Sequence, residues 1–497
     1  MASTTLLLGI FVYFACIIMI GYLMKNRNKG AEDFLVGGRS FGIIFNTGTL
    51  VACGIGGWMV VGLPGTLYAF GIWNSDAHWG IIVTLGGIPM LIILGLFYMK
   101  KLWELKLLSL GDYYYKRFGQ TAGLISTILF VITFAMWVAV QVVSFAKVGA
   151  SLIGLSLDIW IIIAITVICI YTILGGLWAV CLTDIIQVSI VTISLFILAP
   201  VITNMVGGWD VLVGSIPEGH LDFFPKGGAL QGWLSWLAAW AIIGLGSVPS
   251  PDLLQRAFSA KSGAVARYSA FCTAAILLIV ITIVSIVTFG TMKLMSLGQM
   301  DTAFLETDPE LLIPTVFQQL MPAPIVVIFL GATLAAVMSA AATANIALAG
   351  VVSKNLVKDI FVKDMGSRAL MQTTRIAIVV IGIMACYMAI ALPSVFLLTT
   401  LGFDLVLACM FIPLTLGLYW EKANGWGAIA GMVSGAVFRI VGSGLVNGFT
   451  LEGIGTPTDN WYIFTLGGPV VSLIFMYITT LLSQKQSVPL KVQIETY

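Results

Sequence analysis

The sequence predicts an all-α membrane protein of about thirteen transmembrane helices, and three observations predict it. The 497 residues are 59% hydrophobic and only 9% charged, where an average soluble domain is about half apolar and a quarter charged. No soluble core hides that much apolar surface, so the lipid bilayer is the expected solvent. Thirteen apolar segments approach or exceed the roughly 20 residues that cross a hydrocarbon layer. The connections between them alternate between basic and acidic.

The segments run 5–24, 41–70, 77–99, 121–153, 157–177, 184–207, 230–249, 266–290, 313–351, 374–398, 400–420, 426–447 and 463–483. The first, from Thr5 to Met24, is too long for a signal-peptide core and lacks a basic start, so it reads as a retained helix. Alternate connections hold Arg39, Lys100, Lys101, Lys106, Lys116 and Arg117, then Arg256, Lys261 and Arg267, then Lys354, Lys358, Lys363, Arg368 and Arg375. Those between them hold Asp210, Glu218, Asp222, Asp301, Glu306, Asp308, Glu310, Glu452 and Asp459. Lys and Arg are retained on the cytoplasmic side. The expected topology is multi-pass in the plasma membrane (the cell inner membrane if bacterial), with the N-terminus outside and the C-terminus in the cytoplasm.

The second segment carries Gly54, Gly56 and Gly57 beside Ile55 and Trp58, then Gly62, Pro64 and Gly65. Glycine costs about 1 kcal/mol inside a helix and proline about 3, so the helix is expected to unwind here. Unwound backbone at membrane depth survives only where it is buried or lines a cavity; a glycine packing face is the competing reading. The seventh segment repeats the pattern with Gly244, Gly246, Pro249 and Pro251. Five helices separate the two starts, the arrangement of a transporter built from two inverted repeats with its site at the midplane.

Three of the charges within or at the mouth of predicted spans are candidates for function. Asp184, at the start of the sixth, is either a solvated helix cap or part of an ion path. Lys147 and Arg439 are intramembrane bases, which snorkel to the interface or serve function; Arg439 has Asp404 as a candidate partner. Among the aromatics, Trp137, Trp236 and Trp240 lie on core helices and either stack on a ligand or pack.

The motifs resemble those of the sodium:solute symporter family. Gly175-Gly176-Leu177-Trp178-Ala179-Val180 through Thr183-Asp184 to Gln187 resembles one family signature. Leu334 to Ser339 resembles a second, on the eighth core helix, and Pro249 to Ala260 resembles the family's proline- and Gln-Arg-containing loop. Gly427 to Gly435 resembles its late helix. The pattern looks most like the high-affinity choline transporter branch overall, with Gly57-Trp58 and Gly62-Leu63-Pro64-Gly65 looking like the proline transporters. The resemblance implies a single LeuT-type domain with repeats over 41–207 and 230–420 and accessory helices at 5–24, 426–447 and 463–483, and it implies cation-coupled symport by alternating access.

Carried over residue by residue, it implies sodium bound by the carbonyls of Ala52, Ile55 and Ala336 and the hydroxyl of Ser339. It also links Asp184 to the ion exit path. The second hydroxyl position is Ala340, followed by Ala341 and Ala342, so sodium is expected to bind weakly, at millimolar concentrations or above. Two cage tryptophans of the choline branch stand here as Gly54 and Ser250, leaving Trp137. Amides at Gly54, Gly56 and Gly57, at broken helix ends, favour a carboxylate-bearing solute, an amino acid or organic acid, over choline. The expected substrate contacts are Gly54, Gly56, Gly57, Trp58, Trp137, Gln141, Trp240 and Ser247.

The net charge of +2 gives no nucleic-acid footprint. The seven cysteines are spaced too irregularly for a disulfide framework and read as small core residues, and two histidines, His78 and His220, make no metal cluster. No cofactor beyond a coupling Na+ and no obligate protein partner are implied. The partners expected are a small-molecule substrate and the lipid. Enzyme, channel and sensor readings lack paired carboxylates at depth, a charged pore and a signalling domain.

Overall fold

The computed structural model describes residues 30–70, 85–153, 155–218, 229–300, 308–450 and 460–484, with a few isolated positions between them. The predicted span 5–24, part of 77–99 and several of the acidic loop residues lie outside them. The described residues are helical, joined by loops and one isolated bridge between Phe41 and Ala260. Among the described residues, eight helices are long and apolar enough to cross a membrane, nine if one bent pair is a single span.

That pair is α1 (Ile43–Gly54) and α2 (Trp58–Ala69), which meet at 49°. There follow α3 (Gln120–Ile153), α4 (Leu157–Val206), α5 (Leu230–Gly244), α6 (Pro251–Ser259), α7 (Gly263–Ser296), α8 (Ala323–Val351), α9 (Ser367–Ala391), α10 (Val395–Val406), α11 (Gly425–Asn447) and α12 (Trp461–Leu482). Within its most apolar stretch, the span Ile325–Phe361 containing α8 is 83% buried, whereas α12 is 28% buried. α8 is therefore the centre of the bundle and α12 its lipid-facing rim. The alanine-rich sequence of α8 explains the position, because small side chains let α3 and α4 pack close on two sides. Glycines do the same at the rim: a side chain on Gly435 would run into the Ala408 carbonyl, and one on Gly431 into Met476.

Several boundaries differ from expectation. Segments 157–177 and 184–207 are one 50-residue run, turned at Gly176 with φ 58° and ψ −169°. A straight run of that length would be about 75 Å long, more than twice a bilayer core, so the left-handed glycine divides it into two legs. The chain stays helical past Gly176, and the Thr183 hydroxyl, bonded to the Ala179 and Val180 carbonyls, ties the second leg to Tyr171 of the first. Segment 313–351 is a short helix, Leu312–Leu320, followed by α8, which runs on through Val352–Phe361. The helix expected from 400 begins at Val395, where the Ser394 hydroxyl accepts from the Leu397 amide. Pro249 to Ala260, expected to be a loop, contains α6, and all nine α6 residues are buried.

Burial also changes the standing of the basic residues used for orientation. Arg117 is buried and donates to the Gly417, Trp420 and Glu421 carbonyls, closing a helix C-terminus where a cation is favoured. Arg256 is fully buried. Basic connections still lie together at one end of the bundle, the basic end, where Arg39 donates to the Lys106, Leu107 and Phe258 carbonyls and Lys354 meets Asp112; Asp308 and Glu310 meet Lys147 near the other end of α3, the acidic end. Cys53, Cys181 and Cys409 are core residues, but Cys272 is exposed.

Candidate functional site

The first break is built from α1 losing its helical path at Ile55, where φ is −98° and ψ is 63°. Its Gly57 amide does not stay open. It donates to the Gln141 side-chain oxygen from α3 at 2.8 Å, and a side chain on Gly57 would sit 2.1 Å from the Ser144 hydroxyl. A side chain on Gly56 would meet Gln141 and the Ala340 methyl. Gly56, Gly57 and Gln141 thus form a packed seam between α1, α3 and α8, in place of the open carboxylate cradle expected from the sequence.

The second break separates α5 from α6 over Leu245 to Ser250. It is shaped by Gly246, where a side chain would collide with the Ile242 and Phe403 carbonyls, and by the two prolines, with Pro251 at the start of α6. Between the two breaks lies a cavity of about 90 Å³, several times the roughly 10–15 Å³ that one water needs on the same measure. Of the expected substrate contacts, Gly54, Trp58, Trp137 and Ser247 line it. Trp240 instead packs on the core beside Gly244. Of the three tryptophans expected at the solute, Trp58 and Trp137 therefore line the cavity and Trp240 does not.

Two further lining residues carry the polar chemistry: Ser250 and Asp252. Asp252 is 3% exposed and Ser250 1%. One Asp252 oxygen accepts from the Trp137 indole at 3.2 Å, the other from the Leu253 amide at 2.7 Å. The Ser250 hydroxyl has no hydrogen-bond partner among the described residues. The signal that could have found Asp252 is the rule that an intramembrane carboxylate is functional by default. A loop assignment for its segment hid it.

Next to the cavity, α4, α6 and α8 are tied by charge. Asp184 is buried, not a solvated cap, and its carboxylate accepts from the Ser339 hydroxyl and from Arg256 at 3.3 Å. Arg256 also donates to Thr343 at 3.1 Å and to Gln255, whose amide reaches the Leu35 carbonyl at 2.6 Å. Ser339, the one side-chain ligand implied for sodium, is thus already bonded to a carboxylate. Ala52, Ile55 and Ala336 are buried in the same region, and the Ala340 contact brings α8 against the break at Gly56.

The other two intramembrane bases are paired rather than snorkelling. Lys147 meets Asp308 at 2.6 Å and Glu310 at 2.5 Å, and Glu310 also accepts from the Val395 and Phe396 amides at the start of α10. Arg439 bonds Asp404 at 2.5 Å, the partnership expected from the sequence, and Thr465 of α12 joins the same carboxylate at 2.9 Å. That pair fastens the rim helices to α10.

The chain is 25% identical over 450 residues to the osmoregulated proline transporter of Bacillus subtilis, covering 88% of this chain and 89% of the relative. It is 27% identical to the human high affinity choline transporter 1 over 88% of this chain and 76% of the relative, and 26% identical to the sodium/proline symporter of Salmonella typhimurium over 88% of each. A Na+-coupled sialic acid symporter in a substrate-bound outward-open state superposes with a TM-score of 0.80 over 98% of both chains at 17% identity, which shows the fold. A nucleobase-cation-symport-1 family transporter in a closed conformation gives 0.60 over 93% and 98% at 16% identity. The bundle is therefore an all-helical, multi-pass membrane fold of the LeuT type, as the broken spans lead one to expect. The sequence profile of the sodium:solute symporter family matches residues 34–435, and the chain belongs to that family of membrane transporters.

Proposed function

We propose that the chain moves a small organic solute of amino-acid size across the plasma membrane by alternating access, in symport with sodium. The observation that carries the reading is the cavity held between the two broken spans, lined from α1, α2, α3 and α10 and from the α5–α6 break. Loops inside a span leave backbone and side-chain groups to face a solute at mid-depth, which a continuous helix does not. Gly54, Trp58, Trp137 and Ser247 serve as solute contacts; Gly56, Gly57 and Gln141 hold the break in shape behind them.

Sodium sits between Ala52 and Ile55 on one side and Ala336 and Ser339 on the other. The Asp184 carboxylate supports this assignment by adding a charged oxygen next to Ser339, where the sequence alone offers one hydroxyl. Hard oxygens suit an alkali cation, and a carboxylate is the strongest of them. Residues 41–207 and 230–420 form the two inverted repeats. The gathering of basic connections at one end supports a cytoplasmic C-terminus.

The test is uptake by proteoliposomes of labelled amino acids, organic acids and choline, with and without an inward sodium gradient. Sodium-driven accumulation of at least one of them is expected. Uptake that follows a proton gradient and ignores sodium would remove the sodium assignment, and no accumulation under any gradient would remove the transport reading.

A further inference from the structure

The charges around the cavity do not balance. Within the group formed by α4 and α6, Asp184 and Asp252 are two buried carboxylates, and Arg256 is the one buried base beside them among the described residues. Arg256 is turned toward Asp184, Thr343 and Gln255. Asp252 has no ion pair within 4 Å among the described residues; its hydrogen-bond partners are an indole and its neighbour's amide. Arg256, one turn along α6 and shared with Asp184, and the N-terminus of α6, worth roughly half a unit charge, offset the Asp252 charge only in part, in a chamber walled by Trp58, Met59, Leu253 and Phe403. An isolated buried carboxylate is strongly unfavourable unless a cation meets it or a proton neutralises it.

The geometry also says what kind of cation. An ionised carboxylate offers about four acceptor sites, of which Asp252 uses two. The Ser250 hydroxyl, two residues earlier on the same cavity wall, has unused capacity as well. Two oxygens with spare lone pairs in a cavity wall match a group that carries both positive charge and N–H donors. A fully methylated ammonium supplies the charge without the donors, and an organic acid supplies neither. Resting on the transport reading above, we propose that Asp252 is the specificity-determining residue of the solute site, and that with Ser250 it takes a primary or secondary ammonium group in preference to a quaternary one.

Matched probes test this on the full-length protein. Ethanolamine and choline differ only in methylation of nitrogen, as do glycine and glycine betaine; lactate has no amine. Binding is measured by displacement from the detergent-purified protein and uptake separately in proteoliposomes, for wild type, Asp252→Asn and Ser250→Ala. Asp252→Asn keeps an acceptor for the Trp137 indole, and an unchanged melting temperature confirms folding. In the wild type the unmethylated member of each pair is expected to bind at least tenfold more tightly, with the advantage falling to within about twofold in Asp252→Asn and shrinking partly in Ser250→Ala.

The proposal is overturned if choline or betaine binds as tightly as its partner, if lactate binds best, or if none of the amines binds at millimolar concentration. It is equally overturned if Asp252→Asn keeps the preference and loses only the pH dependence of uptake, since the carboxylate would then carry a proton. Amine binding that needs Asp252 without any uptake would refute transport and leave this assignment standing. Sodium-driven uptake of lactate alone would do the reverse.

Discussion

The two broken spans use the same device to different ends. The α1–α2 break is made of glycines and carries no charge; its Gly57 amide is satisfied by Gln141 of α3. The α5–α6 break leads into a helix with Asp252 in its first turn and Arg256 one turn later, and these are met by Trp137 of α3 and Asp184 of α4. One break is closed by shape and the other by charge. The lesson is that an unwound segment needs its polar groups satisfied from a neighbouring helix, and that α3 supplies a side chain to each break, from positions four residues apart on one helical face.

The largest effect is expected at the glycine side. Gly57→Leu places a side chain on the Ser144 hydroxyl, and uptake is expected to fall at least a hundredfold while the protein still inserts, as judged by yield in the membrane fraction. Near-normal uptake would return this segment to the role of an ordinary packing face. At the charged side, Arg256→Met strands Asp184. Removing one partner of a buried pair costs about 3–5 kcal/mol, so the melting temperature in detergent should drop sharply, and Arg256→Met with Asp184→Asn should regain most of the loss. A double variant no better than the single one would mean that the pair does not act as a unit.

Trp137→Phe sharpens the link between α3 and the charged break. It retains an aromatic wall but removes the donor to Asp252; a hydrogen bond to a charged group is worth about 1.5–3 kcal/mol of stability, so the melting temperature in detergent should fall by less than in Arg256→Met, and an unchanged melting temperature would mean that the bond does not hold the break. The smallest effect concerns sodium. Ala340→Ser restores a hydroxyl beside Ser339 and should lower the half-saturating sodium concentration a few-fold, whereas Ser339→Ala should raise it. Ser is preferred to Thr because the Ala340 methyl already lies 3.0 Å from the space beside Gly56. Unchanged sodium titrations in both variants would place the ion elsewhere.

Much of this was legible in the residues themselves. Clustered glycine and proline in two apolar runs announce both breaks, because their helix cost is local. The Arg439–Asp404 pair was legible because two opposite charges in predicted spans at the same depth have few other options. What escaped depended on distant partners. Gln141 reads as a solute contact until α3 is seen to lie against Gly57. Asp184 reads equally as a solvated cap until the chain is found to stay helical beyond Gly176. α6 reads as a loop because its Asp252, Gln255 and Arg256 are polar, and only contacts from α3, α4 and α8 reveal that a polar helix can be wholly interior when its side chains tie helices together.

The segment at Asp308 to Glu310 has a consequence for timing. Glu310 holds the first-turn amides of α10 and the Lys147 ammonium of α3 at once, and a side chain on Gly65 of α2 would strike its backbone. Thr399 and Phe403, further along α10, border the cavity. Any swing of α10 away from α3 must therefore unfasten a desolvated ion cluster before the chamber gains an exit at the acidic end. Such a latch is expected to slow release, and Lys147→Met should speed efflux from preloaded proteoliposomes; unchanged efflux would mean that the cluster does not gate the chamber.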